Sequence, residues 1–339
     1  MNAQDPVGYF SRRAFFCLPR CGLLFYCLLF YFSNSTADSS SPFLSHNQNP
    51  LVMIYGLPLP TAAKIIAANT SHLSASLNVS NTINVEASNN ESLFVDAETY
   101  QLNLLLEYGL NKSWMLRFQL PLVAHNAGFL DSWIDDYHDL LSLPESIRPL
   151  HPIDRLQINY QLSGNTLVNI QQRTSGIGDI SMQLGYQATT EKDFNISYWG
   201  SLKLPTGEAQ QLTGSGSTDL AFWLSTDAGL KHNRWLYASL GIMYIAGSEV
   251  MPSIQKNTVL FATAGFQMQP WESILLKLQL DSHSAFYRSE MEFLGDVLQV
   301  TFGGTILLAS SSIDIAISED ILPQTSPDVT FNISWKIRY

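Results

Sequence analysis

Cysteine is nearly missing from this chain: there are three, Cys17, Cys21 and Cys27, and all lie ahead of Phe32. Removal of that segment would leave no disulfide framework, no thiol nucleophile and no thiolate metal site. Charge is also sparse. Asp, Glu, Lys and Arg make up 14% of the residues, against about a quarter in a soluble globular protein. The net charge of −11 excludes a nucleic-acid partner, which needs a basic surface. After Phe32 there is no apolar run of about 18 residues, so a helical membrane domain is excluded. No G-x-S-x-G nucleophile elbow occurs, and an enzyme is not expected. Gly176 and Gly178, and Gly214 and Gly216, do not lead into a phosphate-binding strand–helix unit, and no cofactor is expected. Disorder is excluded by the 46% of hydrophobic residues and their regular placement.

What is present begins with an export signal. Arg12, Arg13 and Arg20 precede the apolar run Gly22–Phe32, and Ser35-Thr36-Ala37 fits a cleavage site, so residues 1–37 read as a cleaved signal peptide. An exported chain that holds together without disulfides must have another source of rigidity.

That source is written in period two. Tyr100, Leu102, Leu104, Leu106 and Tyr108 share one face, with Gln101, Asn103 and Glu107 on the other. Trp114, Leu116, Phe118 and Leu120 oppose Arg117 and Gln119; Ile180, Met182, Leu184 and Tyr186 oppose Ser181, Gln183 and Gln187. Ile274, Leu276, Leu278 and Leu280 oppose Lys277, Gln279 and Asp281. Such segments of about ten residues match tilted strands that cross a bilayer, with aromatics gathering at their ends. Tyr100, Tyr108, Trp235, Tyr244, Trp271 and Tyr287 are the expected interfacial girdle.

Short connections, such as Asn111-Lys112, Lys231–Asn233 and Ser310-Ser311, alternate with longer ones at Val85–Glu91, His125–Ile153, Pro205–Ser217, Gly247–Lys256, Ser284–Phe293 and Glu319–Pro327. This rhythm predicts an all-β transmembrane antiparallel up-and-down barrel of twelve strands, or fourteen if the hairpin Arg155–Leu162 and Thr166–Arg173 joins the wall. The last segment, VTFNISWKIRY, alternates to its final residue because a lipid-exposed sheet edge is not tolerated and the last strand must meet the first. Residues 38–60, rich in Ser, Asn and Pro, read as a periplasmic segment, or else as a plug, since Met53–Tyr55 and Leu57–Pro60 are apolar enough to dock; the barrel itself is expected over 61–339.

The stretches Asn47–Pro60, Gln119–Pro144, Ser175–Gln187, Ser201–Phe222 and Ser318–Phe331 resemble a family of proteobacterial outer-membrane proteins defined as domain of unknown function 3187. The resemblance implies a barrel in the outer membrane of a Gram-negative bacterium and brings no substrate or catalytic residue.

Function must therefore be sought in the inward faces. Glu107, Arg117, Lys203, Asp227, Lys277, Asp281, Asp314, Lys336 and Arg338 fall on the polar sides of their strands, where they would line a water path and set ion selectivity. A passive channel for small solutes is the leading expectation. The alternatives are a closed barrel whose loops contact lipopolysaccharide or an outside partner, and a lipid-acting enzyme. Asp131, Asp135, Asp136 and Asp139, beside His138 in the 125–153 loop, are candidate cation contacts, although the fixed Ca²⁺-loop pattern is absent. Trp133, Tyr137 and Leu140 give that loop a short helix. Expected partners are membrane lipid, lipopolysaccharide and, through the C-terminal strand, the barrel assembly machinery.

Overall fold

The structure is a computed structural model that describes residues 39–128, 155–191, 193–321 and 325–339. The expected signal peptide with the three cysteines, and the acidic loop with its expected helix and four aspartates, lie outside the described residues.

The strands are β1 (Ser71–Ala87), β2 (Glu91–Gly109), β3 (Trp114–Asn126), β4 (Gln157–Leu162), β5 (Asn165–Ile170), β6 (Thr174–Ile177), β7 (Ser181–Glu191), β8 (Phe194–Lys203), β9 (Asp219–Leu230), β10 (Arg234–Ile245), β11 (Thr258–Trp271), β12 (Ile274–His283), β13 (Val297–Leu307), β14 (Ser311–Asp320) and β15 (Val329–Arg338). Twelve of them form a closed antiparallel barrel, each pairing with its neighbour from β1 through β3 and from β7 to β15. Closure is made by β1 and β15, in register from His72 opposite Arg338 to Asn81 opposite Val329. The amide of Tyr339 donates to Ser71 O at 2.8 Å, so the chain is paired up to its last residue.

The three remaining strands stand outside the wall. The β4–β5 hairpin adds to the far end of β2, through Glu91–Asp96, and β6 pairs with β3 beyond the stretch that β7 occupies. The wall is therefore of twelve strands. Val85–Glu91 is not a long loop: β1 and β2 run on past the barrel rim and turn at Ser88–Asn90, because β4 supplies the extension of β2 with a partner.

Alternation decides which residues meet lipid. Leu73, Leu77, Leu106, Phe118, Leu184, Leu240, Leu278, Ile315 and Ile333 point outward and are exposed, whereas Ser76, Asn78, Gln101, Asn103, Ser197, Ser225, Gln267, Gln279 and Asn332 point inward and are buried. This inverts a soluble protein, and an apolar belt of that extent is a lipid-facing surface. No helix among the described residues is long and apolar enough to cross a membrane. At the short-turn end Tyr108, Trp114, Tyr186, Phe194, Trp271 and Trp335 form an exposed aromatic ring, with Tyr244 and Phe222 exposed toward the other end. Two expected girdle members are elsewhere. Trp235 shares the inward parity of Tyr237 and is buried, and Tyr287 is buried within the β12–β13 connection. Proximity to a strand end does not fix which face Trp235 takes, nor whether Tyr287 belongs to a folded connection.

Candidate functional site

The barrel interior is occupied by the chain's own N-terminal segment, 39–70, which climbs the lumen, turns near the long-loop end and descends. The ascending limb follows β12. Lys277 Nζ donates to Ser41 O at 2.8 Å, Phe43 N donates to Gln279 Oε1 at 2.9 Å, and Asn47 Nδ2 lies 3.0 Å from His283 Nε2. Lys277 Nζ also sits 4.0 Å from the centre of the Phe43 ring. Ser40 and Ser41 are further fixed by Asp227 and Gln267.

The apex is a tight turn over Asn49–Tyr55. Asparagine side chains start it: Asn47 Oδ1 accepts from Asn49 N at 2.8 Å and Asn49 Oδ1 from Leu51 N at 2.9 Å, the local capping these side chains favour. Leu51, Val52, Ile54, Tyr55 and Leu57 then join one apolar cluster with Phe286, Tyr287 and Phe293 of the β12–β13 connection and with Trp199, Trp223 and Phe261 of the wall. Tyr55 stacks on Phe286 at 5.0 Å and meets Tyr287 edge-on at 5.9 Å. Burial pushes the Tyr287 phenol well above its usual range, so it stays protonated and donates to Leu51 O at 2.7 Å.

The descending limb follows β9 and β7. Gly56 N donates to Asp219 Oδ2 at 2.8 Å, Thr61 Oγ1 lies 2.7 Å from Ser225 Oγ, and Ile65 N donates to Gln187 Oε1 at 2.8 Å. Trp223 Nε1 donates to Thr61 Oγ1 at 2.9 Å. The limb leaves beside Gly109, where a Cβ would lie 2.0 Å from Ala67 O; only glycine lets the two backbones approach so closely. The inserted stretch therefore continues past Pro60, and the wall begins at Ser71 rather than at residue 61.

The sequence-derived charges resolve into groups. Glu107 Oε1 accepts from Arg117 Nε at 3.0 Å and Nη2 at 2.5 Å, while Glu107 Oε2 is 3.6 Å from Lys336 Nζ and 3.5 Å from His72 Nδ1. Lys203 Nζ reaches Asp179 Oδ2 at 2.5 Å and Asp219 Oδ2 at 3.0 Å, and donates to Ser215 Oγ. Lys277 Nζ pairs with Asp314 Oδ1 at 2.8 Å. Asp227 accepts from Asn195 Nδ2 and from Ser40, and Asp281 from Thr263 and Gln279. Arg338 is exposed at the short-turn rim. Asp179 was not among the expected residues. It lies in the break between β6 and β7, outside any alternating stretch, and its sequence signal is the glycine pair Gly176 and Gly178 just before it.

Little open space is left. A cavity of about 370 Å³ lies at the short-turn end, between Ser39–Pro42, the descending limb and the wall around Arg117 and Lys336. Further along, the gaps between the inserted segment and the wall are about 30 Å³ and 20 Å³.

A family model described as protein of unknown function, DUF3187, matches residues 21–339. The chain belongs to this family. Among solved structures it is similar to an outer-membrane channel from Pseudomonas putida F1, with a TM-score of 0.55 at 11% identity, covering 83% of this chain and 99% of that one. That likeness is one of fold, the outer-membrane β-barrel. Two further structures are the NanC porin (TM-score 0.44, 6% identity, 79% and 100% covered) and the CymD monoaromatic hydrocarbon channel (0.39, 9%, 89% and 94%). Among curated proteins, none matches the sequence.

Proposed function

We propose that this protein is a passive outer-membrane channel for small solutes whose resting lumen is closed by its own segment 39–70. The observation that carries the reading is the nature of the seat. The segment's limbs are held through the Gln, Asn, Ser and Asp side chains of a polar wall, groups that water can satisfy equally once the segment moves. A barrel built only as a rigid scaffold has no need of a hydrated lining, since small barrels are readily filled by packed side chains. The short-turn end faces the periplasm in this reading, the chain arrives there after cleavage following Ala37, and the long loops face lipopolysaccharide. The C-terminal strand is the contact for the assembly machinery.

The test is conductance of refolded residues 38–339 in a planar bilayer, beside a variant lacking 39–64. A gel shift between unboiled and boiled samples reports folding. Current steps from the intact chain that become larger or more frequent on deletion are expected. Two folded barrels that both stay silent would sink the channel reading and favour a closed barrel acting through its loops.

A further inference from the structure

The cavity at the short-turn end has a charge pattern at odds with the rest of the molecule. The chain is acidic, with 29 Asp and Glu against 18 Lys and Arg. Yet the cavity is lined by Arg117, Lys336 and Arg338 together with His72, and among the described residues by a single carboxylate, Glu107. Glu107 Oε1 accepts from Arg117, while its Oε2 makes no hydrogen bond among the described residues and stands 3.5 Å from His72 Nδ1 and 3.6 Å from Lys336 Nζ. It organises the cations without neutralising them all.

Arg117 supplies the more specific observation. Its side chain is almost wholly buried, at 4% exposure, and its guanidinium lies 5.3 Å from the centre of the Trp199 ring, which fixes its plane. Nε and Nη2 donate to Glu107 Oε1, but Nη1 is buried and has no hydrogen-bond partner among the described residues. Guanidinium groups favour oxyanions because their planar donors match carboxylate and phosphate oxygens. A cavity of about 370 Å³ also has the size of a small-molecule site rather than of one water.

We infer that this vestibule binds a small free anion bearing carboxylate or phosphate oxygens, with Arg117 as the buried donor and Lys336 and Arg338 as the rim. The inference deepens the channel reading by giving its solute a charge class, and it rests on that reading for its transport meaning. Binding itself needs no open channel, so the two can be tested separately.

The experiment is calorimetric titration of refolded residues 38–339 in lipid-free detergent, with inorganic phosphate and with malonate as probes. Saturable binding of at least one anion is expected, weakened about tenfold in Lys336→Gln/Arg338→Gln and more strongly in Arg117→Gln. The double variant alters partly exposed side chains, so the test survives if Arg117→Gln fails to fold; the gel shift monitors both. Three results would overturn the site: no binding of either probe up to about 10 mM, where a millimolar site would be seen; binding unchanged in the double variant; or binding only when phosphatidylglycerol is added to the micelles. Anion binding by a barrel that never conducts would sink the channel and leave the site standing. Conduction without anion binding would do the reverse.

Discussion

If segment 39–70 is the gate, a covalent bond between it and the wall must hold the channel shut. Thr61 and Ser225 offer the place, because their hydroxyl oxygens are 2.7 Å apart and one belongs to the descending limb, the other to β9. Sulfurs at these positions would need to close to about 2.05 Å, and residues 38–339 contain no cysteine to compete. The control is Ser76 with Ser334, whose oxygens are 2.8 Å apart on β1 and β15, both in the wall. The sequence separations are 164 and 258 residues. In the chain-entropy account each bridge is then worth about 5 kcal/mol, and the two differ by less than about 0.5 kcal/mol. Thermal stabilisation is therefore matched and only the location differs. Ser76 Oγ donates to Leu44 O, so the control gives up one bond to the inserted segment and if anything loosens it. In a planar bilayer, oxidised Thr61→Cys/Ser225→Cys should be silent and regain current when a reductant is added. Oxidised Ser76→Cys/Ser334→Cys should conduct throughout. Equal currents from the first variant before and after reduction, with the bridge verified by mass, would refute the idea that this segment gates the lumen.

At the apex, Tyr55→Ala removes contacts to Phe286 and Tyr287, an aromatic truncation of about 3–5 kcal/mol, and should raise open probability; unchanged gating with a lowered melting temperature would assign the turn to stability alone. Lys203→Met strands Asp179 and Asp219 without their buried cation and should cost about 3–5 kcal/mol, read as a lower urea midpoint in detergent. Leu240, 66% exposed on β10, should resist Arg: the change costs about 2–4 kcal/mol when the site faces the bilayer midplane but within about 0.5 kcal/mol if it faces water, a difference visible in folding yield into vesicles.

Much of the wall was legible because barrel strands obey one rule. Outward Leu102, Leu104 and Leu106 and inward Gln101, Asn103 and Glu107 follow from parity alone, and hairpin register even places charge partners opposite each other. Glu107 faces Arg117 across the β2–β3 turn and Lys203 faces Asp219 across β8 and β9. The path of 39–70 was not legible, and the reason is physical. The segment has no strand of its own, and its limbs are held by scattered hydrogen bonds to residues such as Asp227 and Gln279, 187 and 236 positions away. No local period records bonds of that kind. A stretch of Ser, Asn and Pro reads the same whether its polar groups face water or the glutamines of a lumen.

The way the segment is held also gives its release a direction. Its apex is packed in apolar contacts with Phe286, Tyr287 and Phe293, which water cannot replace. Its limbs combine a small apolar contact, Leu44 and Leu59 with Leu105, with polar bonds each worth only about 1 kcal/mol net because water competes for the same groups. The open volume of about 370 Å³ already sits at the limb end, beside Ser39–Pro42 and the descending limb, while the gaps between the apex turn and the wall are about 30 Å³ and 20 Å³. Water can therefore enter along the limbs from the short-turn end, exchanging one hydrogen bond at a time, and the apex is the last part to give way. Weakening Asp227 or Gln267 should then increase brief, partial openings, whereas weakening the apex should lengthen full ones; a single class of opening in both variants would mean that the segment moves as one rigid body.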